Sequence, residues 1–230
     1  MDPLIILGLT SLGYGLAMAS LVGGMAKGGQ LSRSLSRKVF HAGIFTGAVP
    51  AQLVQGFWGV VVYGSVLALL VLLAFWQGPG LPFFDALARP GKVKESRRSV
   101  LTPLVSTALG GLFGTLLVGS FAVVGYLVCG WGDAAGEPVG ERWGRHRYSS
   151  ILKRDRERTR SLEGSLAVFL VGSLGAGVAL LLLGFSGPEA LGIGLVSGAA
   201  GGVVEALSGP RTDNLWVQLV PSILAWWLLG

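Results

Sequence analysis

The 230 residues are 51% hydrophobic and 13% charged, with 38 glycines and a mean hydropathy of +0.65. Those values describe an integral membrane protein with closely packed helices and exclude a soluble globular domain. The formal net charge of +6 would point to nucleic acid in a soluble chain, but in a membrane protein the excess of Lys and Arg on cytoplasmic loops explains it, so no nucleic-acid partner is expected.

Taken in chain order, apolar runs long enough to cross a bilayer fall at 3–26, 39–55, 57–76, 99–118, 120–141, 163–184, 188–207 and 213–229. The expected fold is therefore an all-α bundle of about eight transmembrane helices forming a single polytopic domain over 1–230. The first run has no basic n-region, so it is expected to be a retained span and not a cleaved signal. The single cysteine, Cys129, lies within an apolar run and offers no disulfide. Between the third and fourth spans the connector at 77–98 is punctuated by Pro and Gly, and residues 81–89 are expected to form a short interfacial helix.

The basic residues test this division. Residues 27–38 hold four, residues 89–98 five and residues 142–160 eight, and with Arg211 these are all 18 in the chain. In an eight-span arrangement every one falls on one face, which the positive-inside rule makes cytoplasmic, with both termini on the other side. The expected location is the cytoplasmic (inner) membrane of a prokaryote, with the reactive face toward the cytoplasm.

Four constellations lie on or just below that face. Arg37, Lys38 and His41 precede the second span, and Arg37 and His41 share a helix face. Snorkelling explains the two cations, whereas an imidazole one turn inside the apolar stretch needs a partner or a role as phosphate donor or proton acceptor. Asp133, Glu137 and Glu141 recur every four residues and form one acidic stripe, while Gly136, Gly140 and Gly144 form a second. The glycines suit close helix packing or close approach of a nucleotide. The carboxylates beside the basic loop at 142–162, with Arg145 and Lys153, suit a magnesium-bound polyphosphate, since Mg2+ takes hard oxygen ligands and phosphate takes Arg or Lys. Ser161, Glu163 and Ser165 open the sixth span; Ser161 and Glu163 suit N-terminal capping, and the same helix end with Gly164 favours phosphate. Finally, Glu205 closes the seventh span and Asp213 and Asn214 begin the eighth; capping explains Asp213, whereas Glu205 is not needed for a cap and suits a metal or substrate site.

RKVFH at 37–41, GDAAGEPVGERWGRHRY at 132–148, RSLEGSLA at 160–167 and VEALSGPRTDNLWVQLVP at 204–221 together resemble the diacylglycerol/polyprenol kinase family, which includes phytol kinases, dolichol kinases and CTP-dependent diacylglycerol kinases. The family is distantly similar to the CDP-diacylglycerol synthases. The resemblance covers most of the chain from residue 37 onward and implies transfer of the terminal phosphate of a nucleotide, usually CTP, to a membrane lipid alcohol such as phytol, geranylgeraniol or a polyprenol, with magnesium. It implies Asp133 as metal and nucleotide ligand with Glu137 close by. Gly132, Gly136 and Gly140 belong to that first motif. Arg160, Ser161, Glu163 and Gly164 are implied as the second part of the nucleotide site, and Glu205, Asp213 and Asn214 as its third wall. Arg160 stands where many relatives have lysine, and binds phosphate as a fork instead of a point charge.

Arg37 and Lys38 complete the expected nucleotide contacts, and Asp133, His41 and Glu205 are the expected catalytic residues. The other readings are a CTP-dependent diacylglycerol kinase, a phosphatidate cytidylyltransferase using the same groups, and a transporter using the carboxylates as a coupling-ion site. Against transport, the polar residues crowd one face. Glycine-rich faces pack equally within one chain or between two copies, so a homodimer stays open.

Overall fold

The computed structural model describes residues 1–29, 32–89, 93–149, 159–209 and 212–230. The elements are α1 (Pro3–Lys27), α2 (Arg33–Gln77), α3 (Pro82–Leu87), α4 (Val93–Val118), α5 (Ala122–Leu127), a π-helical segment (Val128–Asp133), α6 (Ala134–Trp143), β1 (Arg147–Ser149), β2 (Thr159–Ser161), α7 (Leu162–Leu182), α8 (Gly187–Leu207) and α9 (Asp213–Leu229). Among the described residues the regular structure is helical but for two short strands, which pair antiparallel with Tyr148 opposite Arg160.

Among the described residues five helical stretches are long and apolar enough to cross a membrane: Pro3–Lys27, Arg33–Gln77, Glu95–Trp143, Leu162–Leu182 and Gly187–Leu207. Leucines exposed on the outside of the bundle, among them Leu9, Leu69, Leu116, Leu170 and Leu191, suit a hydrocarbon solvent. This is a membrane protein.

Two of those stretches are interrupted by glycines in the left-handed region. Gly56 (φ 56°, ψ −137°) breaks α2, and its two halves fold back on each other, so that the Tyr63 hydroxyl donates to the Ile44 carbonyl at 2.7 Å. Gly119 (φ 58°) turns the chain between α4 and α5. Only glycine adopts such backbone freely. Gln52 donates to the Gly119 carbonyl at 3.2 Å and thereby ties the two turns together.

The larger core cluster joins α2, α5, the π-helical segment, α7 and α9 through residues such as Phe45, Tyr126, Leu127 and Val217. A second cluster gathers α1, α2 and α4 around α3. The short helix expected at the interface is present but buried: Phe84 is 1% exposed, and Phe83 packs edge-on against Phe40 with ring centroids 5.1 Å apart. Its two phenylalanines and Leu87 supply an apolar face large enough to close the second cluster, which burial favours over the interface.

Gly125 marks the tightest crossing of the core. A Cβ there would be driven into the Gln218 carbonyl and the Ser222 hydroxyl, and its N–H donates to that hydroxyl at 3.0 Å. Gly125→Ala is expected to destabilise the protein by at least about 2 kcal/mol, read as a fall in thermal unfolding temperature. Gly13→Ala, where a Cβ meets nothing within 4 Å, is expected to leave that temperature unchanged or raise it.

Candidate active site

The site begins with the π-helical segment. Between Val128 and Asp133 the helix widens to i→i+5 hydrogen bonding before α6 resumes α-helical geometry. Such segments concentrate at functional sites, and this one ends on Asp133. The Asp133 carboxylate meets Lys38 Nζ at 2.7 Å and His41 Nε2 at 3.4 Å. One turn on, Glu137 pairs with Arg37 and lies 3.1 Å from Lys38 Nζ. Ser34 donates to Glu137 at 2.7 Å and to Glu141 at 3.3 Å. The acidic stripe of α6 thus faces the basic first turns of α2. Lys38 is 7% exposed, and a buried ammonium requires such pairing.

The opposite wall comes from β2, α7, α8 and α9. Arg160 forms an ion pair with Glu205 and donates to the Ser208 carbonyl at 3.4 Å. Burial lowers the Arg160 pKa, opposed by the carboxylates of Asp213 and Asp133. Ser161 caps α7 by accepting from the Gly164 N–H at 3.1 Å. Asn214 is buried and donates to Thr107 Oγ1 at 2.9 Å.

Between these walls lies a cavity of about 1010 Å3. On its surface stand Arg37, Lys38, His41, Asp133, Gly136, Glu137, Gly140, Arg160, Ser161, Gly164, Glu205, Asp213 and Asn214. Residues that the sequence scatters from Arg37 to Asn214 are here one site.

Gly136, Gly140 and Gly164 also fulfil the packing reading: a Cβ at Gly164 would lie 2.9 Å from the Gly136 carbonyl, and one at Gly140 would lie 3.0 Å from Ser161 Oγ. The glycines let α6 and the start of α7 close the cavity floor with backbone on both sides.

Three expected residues are not on the cavity wall. Gly132 is buried against α7, where a Cβ would meet the Val168 carbonyl at 3.0 Å. Arg145 is exposed. Glu163 is drawn to His146, accepting from its backbone N–H at 3.3 Å and lying 2.8 Å from its ring Nδ1. Lys153 lies outside the described residues.

Conversely, Arg33, Ser34, Arg89 and Arg147 line the cavity without having been assigned a role there, and Glu141, the third member of the expected acidic stripe, lines it as well. Ser34 stands one helical turn before Arg37, a spacing that places it on the same face. Arg89 follows the buried helix α3 and had no such signal.

Among the described residues no three His, Cys, Asp or Glu side chains are grouped to hold a metal ion unaided. Asp133 and Glu137 offer hard carboxylate oxygens one turn apart on the cavity wall, a donor set that fits magnesium, which is commonly held by one or two carboxylates together with substrate phosphates.

The chain is 31% identical over 199 residues to the phytol kinase of Synechocystis sp. (strain ATCC 27184 / PCC 6803 / Kazusa), covering 84% of this chain and 78% of that protein. No family model matches, and no solved structure matches. The chain belongs to the phytol/polyprenol kinase family.

Proposed function

We propose that this protein is a CTP-dependent kinase that phosphorylates a prenol-type lipid alcohol (phytol, geranylgeraniol or a longer polyprenol). The observation that carries this reading is the composition of the large cavity: among the described residues six cations, Arg33, Arg37, Lys38, Arg89, Arg147 and Arg160, line it together with the Asp133–Glu137 pair at a helix end. Its volume of about 1010 Å3 is at the upper end for a small-molecule site, enough for a nucleoside triphosphate. The relative named phytol kinase supports the choice of alcohol.

Phosphoryl transfer is mainly positioning and charge neutralisation. In the proposed reaction the alcohol oxygen attacks the terminal phosphorus, the bond from that phosphorus to the bridging oxygen breaks, and the products are a phosphorylated alcohol and the nucleoside diphosphate. Arg160, fork-shaped and held at the cavity wall, takes phosphate oxygens in bidentate fashion. Lys38 and Arg37 fix the carboxylates and add positive charge beside them. Asp133 and Glu137 would hold magnesium, which when bound supplies further charge neutralisation on the triphosphate. His41 accepts the hydroxyl proton: it stands beside Asp133 and against the Phe45 ring, where polar and apolar surroundings meet. Glu205, occupied by Arg160, is a positioning residue in this scheme.

In the proposed topology the chain crosses the membrane eight times. The breaks at Gly56 and Gly119 divide Arg33–Gln77 and Glu95–Trp143 into two crossings each, and α9 adds one. The cavity then faces the cytoplasm with both termini opposite, in a prokaryotic inner membrane. The positive-inside distribution supports that orientation.

Nucleotide binding has a direct readout. With magnesium and CTP at about 100 times Kd, stabilisation by about 2.7 kcal/mol is expected, seen as a rise in thermal unfolding temperature. Arg160→Gln is expected to lose most of that rise. An unchanged unfolding temperature of the unaltered protein at saturating CTP would count against a nucleotide site.

A further inference from the structure

A second cavity, of about 360 Å3, lies between the two halves of α2 and the middle of α4. Its walls are apolar, formed by residues such as Ile44, Phe45, Leu67, Val71 and Leu104. At its outer edge stand Gly64 and Ser65 on α2 and Ala108 on α4, all small and exposed on the flank of the bundle. A Cβ at Gly64 would meet nothing within 4 Å, so this edge is an opening toward the bilayer.

The inner end adjoins the charged cavity. His41, on the charged side, and Phe45, on the apolar side, have ring centroids 4.9 Å apart. Asn214, on the charged side, donates to Thr107, on the apolar side, at 2.9 Å. Gln218 lies in this dividing layer and is 1% exposed. Its Nε2 donates to the Asn214 carbonyl at 2.7 Å and to the Thr107 carbonyl at 3.3 Å, and two carbonyl partners fix which end of the amide carries nitrogen. Its Oε1 is buried, has no hydrogen-bond partner among the described residues, and lies 3.7 Å from where a Cβ would stand on Gly111, another residue that lines the cavity. A buried amide oxygen without a donor is unfavourable until a donor arrives. A hydrocarbon chain ending in a hydroxyl satisfies both the apolar walls and that oxygen.

We propose that this cavity is the binding site for the hydrocarbon chain of the lipid alcohol, which enters between Gly64 and Ala108, its hydroxyl donating to Gln218 Oε1 on docking and turning to His41 for the proton transfer. The inference rests on the kinase reading and narrows it. At ~30 Å3 for a group the size of water, the cavity takes about a dozen chain atoms in single file, with the remainder of a longer chain in the bilayer. The cavity has room for one chain, which suits a single-chain alcohol better than diacylglycerol.

The test uses the full-length protein in lipid nanodiscs with a farnesol analogue carrying a diazirine on its chain. Ultraviolet irradiation followed by peptide mass spectrometry should place adducts within residues 60–71 and 104–112. Excess phytol should suppress them and excess diacylglycerol should not. Gly64→Leu fills the opening; labelling should fall, and KM for the alcohol should rise roughly 30- to 100-fold, the loss expected when about three methylenes are no longer buried, with KM for CTP unchanged. Ala108→Leu, on the other side of the opening, should do the same, and retention of the CTP-dependent thermal shift certifies that either variant is folded. Adducts elsewhere, or labelling unaffected by both leucines, would overturn the proposal. Adducts at the expected residues from a protein that phosphorylates no alcohol would uphold the site and overturn the kinase reading.

Discussion

Asp133→Asn is expected to abolish turnover, with kcat reduced at least 10³-fold, while the protein stays folded and inserted. The change keeps the shape of the side chain and removes only its charge. In the structure that charge meets Lys38 at 2.7 Å and His41 at 3.4 Å at the end of the π-helical segment. Preorganised charge of this kind contributes to the transition state far more than to the fold, and single donors in such sites are worth about 10²–10³ in rate. A carboxylate that also holds the metal should exceed that. Stability falls little, because Lys38 retains Glu137 at 3.1 Å. Kinetics with magnesium-CTP together with thermal unfolding separate the two effects; near-full activity in the variant would refute the role assigned to Asp133.

Lys38→Met should have the opposite balance, with a large cost in stability. Lys38 is buried between two carboxylates on successive turns of one helix. Removing it leaves Asp133 and Glu137 with Arg37 and His41 as their remaining basic neighbours. Breaking a buried ion pair from one side costs about 3–5 kcal/mol because the stranded charge is still desolvated. Adding Glu137→Gln should recover part of that loss, and the coupling from the double-mutant cycle should lie between about 0.5 and 3 kcal/mol. A single variant that unfolds at the temperature of the unaltered protein would show that Lys38 is not the counter-charge of this site.

The sequence revealed the α6 side of the site better than its surroundings. Asp133 and Glu137 follow a four-residue period on a helix, and that period survives folding, so their shared face was readable; the basic complement expected for it was the loop at 142–162, whereas the partners it takes are Arg37 and Lys38. The breaks at Gly56 and Gly119 were also readable, since each separates two apolar runs. The π-helical segment was not: Val128–Asp133 reads as an ordinary stretch of helix, and the extra residue per turn arises from packing. Glu163 shows the limit of local rules. Its place in the first turn of α7 agrees with the capping expectation, but its carboxylate also turns to His146, brought there by a strand pairing that the basic loop did not announce. Gln218 was passed over because a single amide in an apolar run has no periodic partner; its significance depends on Asn214, Thr107 and Gly111, which only the fold assembles.

The most direct test of the account is the identity of the products. Purified protein would be incubated with magnesium, CTP labelled separately on its α- and γ-phosphates, and phytol, a longer polyprenol, diacylglycerol or phosphatidate in turn. The account predicts that the γ-label moves to phytol or the polyprenol and that CDP carries the α-label. Release of pyrophosphate with the α-label on a CDP-lipid would contradict it, leaving the cavity in place and replacing the reaction.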